Sequence, residues 1–144
     1  MQTPLYDQDL YAWAMETARL VRESRFAEID SVHLAEELES MVKAEQRALE
    51  SRLEALLTDL LKWEHQPQQR TKSWQRGVIE QRKRIARLLG DSSGLHPGLP
   101  ETLADAYDSA VRWAADDTGL DEADFPQTCP YPGARVLDSG FYPE

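Results

Sequence analysis

Four ionisable residues stand where an amphipathic helix would prefer carbon. Asp117 is in line with Leu99, Leu103, Ala106 and Ala110, and Arg82 lies at the edge of the stripe Trp74, Val78, Ile85. Glu45 flanks the row containing Val42 and Leu49, and Asp59 sits in the run LLTDLLKW. Gathered inside a helical bundle, such groups do one of two things. They form a polar network that sets the register of the helices, or they line a small ligand pocket, whose first sign would be a raised pKa on Asp117 or Glu45. Asp117 would lie in the last turn of its helix, at the unfavourable end of the helix dipole, so it needs a cation; Arg82 is the expected partner. Gln81 shares the stripe of Arg82 and would join the network.

Other chemistry is thinner. His33 and Glu37 have helical i,i+4 spacing and are a weak candidate pair of metal ligands, with Asp59, His65 and Cys129 as further ligand types. A di-iron bundle needs paired Glu-x-x-His motifs, whereas this chain has the reversed order His33-Leu34-Ala35-Glu36 once. A His–Glu hydrogen bond is the expected use of the pair, and no metal or cofactor is expected. No phosphate-loop, dinucleotide or zinc-protease signature occurs, and nothing ties His65 or His96 to a serine nucleophile. Cys129, between Thr128 and Pro130, has no cation beside it in sequence that would lower its pKa.

The elements that would hold these residues are helical. From Asp30 to Gln66 the chain runs 37 residues without glycine or proline. Within that run Ala35, Leu38, Val42, Leu49, Leu53, Leu56 and Leu60 recur at helical spacing. Asp30 suits its N-cap and Pro67 ends it. Helices are expected over about 7–25, 31–66, 73–89 and 100–118, with an irregular tail over 120–144. Each helix carries one tryptophan, Trp13, Trp63, Trp74 and Trp113, and all four are expected in a common core. The tail holds four prolines beside Phe125, Tyr131, Val136, Leu137, Phe141 and Tyr142, so it is expected to fold back over the helices, with a turn of helix near Gly133–Leu137. The expected fold is therefore all-α: one four-helix-bundle-like domain over 1–144, with a long second helix and a proline-rich C-terminal segment wrapping it. A straight helix of that length spans roughly 54 Å. It either bends, most readily where the stripe lapses at Glu45 and Gln46, or reaches a partner.

Charge bounds the partners. The 144 residues carry a net charge of −10, which opposes adhesion to nucleic acid or anionic lipid. The distribution is uneven: 67–90 hold 7 basic and 1 acidic residues, whereas 91–144 hold 2 basic and 11 acidic. Arg76, Lys83 and Arg87 fall opposite the apolar stripe of the third helix and form a candidate anion contact. Neutralisation of that row by acidic neighbours is the expectation, and nucleic acid is not an expected partner. One cysteine, acids in the first residues and no long apolar run suit a cytoplasmic protein with no membrane span.

Taken together, YDQDLYAWAMETARLVRESRFAEIDSVHLAEEL, LLTDLLKWEHQP, SWQRGVIEQRKRIARLL, AADDTGL and FPQTCPYP resemble a bacterial family catalogued as domain of unknown function twenty-nine, abundant in cyanobacteria and found in proteobacteria. The resemblance covers about Tyr6 to Tyr142. It implies a small all-helical cytoplasmic protein and no particular activity. The family usually carries His where this chain has Asp59, and often Asn where it has His33. Two functions remain: a non-catalytic acidic helical interaction module that docks a protein partner or a second copy, which is preferred, or a ligand-binding or enzymatic bundle built on Glu45, Asp59, Arg82 and Asp117.

Overall fold

Good helix formers fill the intervals between prolines and glycines, and every regular element among the described residues is helical. The structure, a computed structural model, describes residues 4–144. The α-helices are α1 (Leu5–Gln8), α2 (Leu10–Arg22), α3 (Ser31–His65), α4 (Lys72–Asp91), α5 (Leu99–Thr118) and α6 (Gly133–Leu137). Short 3-10 segments at Phe26–Glu28, Pro67–Gln69, Ser93–Gly98 and Glu122–Asp124 join them.

Local signals account for the boundaries. The expected first helix is broken at Asp9, whose backbone is extended (φ −155°, ψ 93°) and whose carboxylate accepts from the Ala12 N–H at 2.9 Å. A residue that caps one helix in this way ends the one before it. The helix then stops at Arg22 rather than Arg25, because Ser24 takes a left-handed conformation at φ 58°. Asp30 caps α3 through the His33 N–H, and Thr71 caps α4 through the Trp74 N–H. Gly119, at φ 76°, closes α5 with its N–H on the Ala115 carbonyl; a side chain there would be strained.

By its contacts the chain falls into two compact units, Met1–Ala44 and Glu45–Glu144. In the first, Trp13, Thr17 and Leu20 of α2 are buried. Tyr6 meets the edge of Trp13 at 4.9 Å and stacks on His33 at 4.0 Å. In the second, Leu49, Leu53, Leu56, Leu57, Leu60 and Leu61 of α3 are buried together with Val78, Ile85 and Leu89 of α4. Ala106, Tyr107, Ala110 and Ala114 of α5 join them, as do Phe125, Tyr131 and Val136 beyond α5.

The helical ladder of α3 is continuous from Ser31 to His65. Burial changes along it: Leu38, Met41 and Val42 are exposed, whereas Leu49, Leu53, Leu56, Leu57, Leu60 and Leu61 are enclosed. One expectation fails here: the four tryptophans do not share a core. Trp13 is buried in the first unit, Trp63 packs on Tyr142 at 5.0 Å, and Trp74 lies under the Lys62 ammonium at 4.8 Å. Trp113 is 55% exposed. The reason is volume: α5 presents Ala106, Ala110 and Ala114 to the core, and small side chains bring helices too close to admit an indole beside them.

Candidate functional site

The four polar residues do not converge. Asp59 of α3 and Asp117 of α5 line one groove of about 350 Å³, with Thr58 and Trp113 beside them. Lys62, one turn along α3 from Asp59, reaches Asp117 at 3.3 Å. The cation for Asp117 is therefore Lys62 rather than Arg82. Asp117 is also more exposed than its stripe suggested, because the apolar row of α5 runs on past the end of the core. Burial pushes the Asp59 carboxyl up to about 6; Lys62 opposes the shift and the charge of Asp117 adds to it. Gly77 of α4 lies against the same carboxylate, and a Cβ there would come within 3.1 Å of its Oδ2. A carboxyl that titrates near pH 6 beside a lysine can give or take a proton close to neutrality.

Arg82 serves a different purpose. It is 6% exposed, and its Nε and Nη2 donate to the Val136 and Phe141 carbonyls at 2.8 Å each. Its guanidinium lies 5.5 Å from the Tyr142 ring centroid, while Nη1 is buried without a partner among the described residues. Burial pulls its pKa down, and Tyr142 and Asp138 oppose that. Two tyrosines make comparable ties: Tyr107 Oη donates to the Pro126 carbonyl and Tyr131 Oη to Glu64, each at 2.6 Å. Burial raises the Cys129 thiol, which disfavours the thiolate. Glu45 accepts from Ser92 Oγ at 3.1 Å, apart from the Asp59 groove.

His33 and Glu37 are likewise engaged, though not with each other. The His33 ring pairs with the Asp30 carboxylate, which raises its pKa, and Glu37 accepts from the Tyr6 hydroxyl. Among the described residues no group of three His, Cys, Asp or Glu side chains is placed to hold a metal ion. No helix there is long and apolar enough to cross a membrane.

On α4, Lys83 and Arg87 line a second groove of about 630 Å³ together with Arg84 and, from α3, Arg52. Arg76 does not line it. Arg52 carried no sequence signal as a groove residue, because its role depends on which face of α3 meets α4.

With these sites described, comparison with known proteins adds one finding. A family model, Domain of unknown function DUF29, matches residues 5–142. The chain belongs to this family. No curated protein and no solved structure matches the DUF29 chain, so its chemistry rests on its own residues.

Two outcomes follow from this geometry. The folded DUF29 chain holds the Asp59 proton more tightly than the unfolded one, whose ordinary value is 3.8. The contribution of Asp59 to stability is thus fully present below about pH 4 and lost as pH rises through about 6. Asp59→Asn should be more stable than the parent at neutral pH by on the order of 1 kcal/mol, allowing for solvent screening, and equal to it in acid. Urea denaturation at several pH values reads this, and a pH-independent difference would contradict it. Arg82→Met should cost about 2–4 kcal/mol, since it strips two carbonyls of their donors. It should also expose Phe141 and Tyr142 to chymotrypsin before the core unfolds; unchanged cleavage would refute the tie.

Proposed function

We infer that this DUF29 chain is a non-catalytic helical interaction module, and that the apolar face of α2 and residues 31–44 pairs with a second copy. The observation carrying this reading is the distribution of exposed apolar side chains. Of the 12 large hydrophobic residues exposed among those described, 10 lie between Leu5 and Val42. Exposed apolar surface gathered in one segment marks an interaction site. Part of it is a groove of about 520 Å³ whose walls are Leu10, Ala14, Thr17 and Val21 on one side and Leu34, Leu38 and Met41 on the other. Both walls step by four and three residues, the spacing at which helices interlock as knobs into holes. The ionisable residues lining the groove are Arg22 and Glu37, one of each sign. A twofold axis sets such a surface against itself with opposite charges facing, whereas a rim of one sign would select a different partner.

In this reading the helices of Glu45–Glu144 form a bundle-type core over which the C-terminal segment is strapped through Arg82, Tyr107 and Tyr131. The single cysteine, which can form no disulfide within the chain, suits a reducing cytoplasm. A second reading, a ligand-binding or enzymatic bundle, is favoured by the raised pKa of Asp59. It now rests on Asp59, Asp117 and Lys62, because Glu45 and Arg82 are committed elsewhere.

Light scattering over a concentration series tests the pairing. The parent should show twice the chain mass, and Leu38→Lys with Met41→Lys should show the mass of one chain with undiminished helical circular dichroism. A parent that stays monomeric at all concentrations, or a variant that keeps the doubled mass, would overturn it.

A further inference from the structure

The cations of α4 are unevenly engaged. Arg84 pairs with Glu80 at 2.8 Å and Arg82 is turned to the C-terminal carbonyls. Among the described residues Arg52, Lys83 and Arg87 make no ion pair within 4.0 Å. These three, with Arg84, line the groove of about 630 Å³ between α3 and α4, where Glu80 and Asp91 are the acids and Ala48 and Leu88 supply apolar surface. Residues 80, 83, 84, 87 and 91 recur at helical spacing, so α4 presents them on one face while Val78, Arg82, Ile85 and Leu89 occupy the buried one. Four cations against two carboxylates leave the groove positive in a chain whose net charge is −10.

We propose that this groove binds a small anion carrying two or more negative charges, on phosphate or carboxylate groups, with its apolar part against Ala48 and Leu88. Arginine forks suit either oxyanion, because each offers two parallel N–H donors to a pair of oxygens. Range decides between a small anion and a nucleic acid. At physiological salt a charge is screened beyond about 8 Å, so a ligand seated in the groove feels its cations and little of the distant acids. A phosphate backbone extends past the groove, into the field of a chain whose net charge is −10. Consistent with a locally positive field, Arg84, then Lys83 and Arg52, hold the Glu80 carboxyl below the usual range. The site lies wholly within Glu45–Glu144 and does not depend on pairing through α2.

The test is a nuclear magnetic resonance titration of the full chain, isotope-labelled, at physiological salt, with inorganic pyrophosphate in one arm and citrate in the other. Saturable shifts should be confined to amides of 48–52 and 80–91, and the arm that saturates at lower concentration identifies phosphate or carboxylate. Arg52→Ala with Arg87→Ala should weaken binding by about tenfold or more, whereas Arg76→Ala, a charge loss outside the groove, should leave it unchanged. These arginines are surface residues, and the mapping on the unsubstituted chain stands without the variants. Linear, non-saturating shifts in both arms would overturn the proposal. So would an equal loss with Arg76→Ala, or binding of a single-stranded RNA where neither small anion binds.

Discussion

Leu49, Leu53, Leu56, Leu57, Leu60 and Leu61 give one face of α3 six enclosed side chains, and the other elements of Glu45–Glu144 are arranged to cover them. Each such burial contributes about 1.5–3 kcal/mol, more than exposed ion pairs of the kind that Arg19 makes with Glu16 and Glu23. Covering the ladder explains the alanines of α5, which allow close approach, and the glycine at 77, where a Cβ would press on Asp59. It also explains why a charged residue is spent inside: the chain beyond α5 closes the core with Val136 and Phe141, and their backbone carbonyls require donors. Arg82 supplies them. Asp59 is enclosed elsewhere, by Gly77 of α4 and the groove it shares with Trp113 and Asp117 of α5, and that burial shifts its titration.

The ladder stops at Leu49, but the helix does not. Residues 31–44 continue α3 without an enclosed side chain, and α2 opposite them buries Trp13, Thr17 and Leu20. A helix of 13 residues is marginal without packing on its apolar face. Three buried side chains and a ring stack from Tyr6 are a small return against the conformational entropy of ordering that segment. Further burial by a second copy would add what the hairpin lacks, and the interlocking spacing of its two walls is suited to that.

Much of this was legible in the residues, for a reason visible at particular positions. Helix formers without interruption, Asp30 before α3, Pro67 after it and Gly119 after α5 act through their immediate neighbours, so the all-α character can be read from a linear string. Asp9 has the same cap chemistry but sits inside an apolar periodicity that masks it. Leu38 and Val42 show the limit of periodicity: a stripe reveals which side of a helix is apolar, not whether anything covers it. Arg82 was recognisable as an inward cation, yet its acceptors are backbone carbonyls 54 and 59 residues away, and a carbonyl has no residue signature. Asp117 misled because its stripe outlasts the core. Arg52 was missed because its neighbours across the groove belong to another helix.

Amide hydrogen exchange at low and high protein concentration tests most directly whether α3 owes its two halves to different sources of burial. Amides of 49–61 should exchange slowest and at a rate independent of concentration. Those of 10–22 and 32–42 should slow markedly as concentration rises. Equal and rapid exchange of the latter at every concentration, or protection as strong as that of the leucine ladder in the dilute chain, would contradict this account.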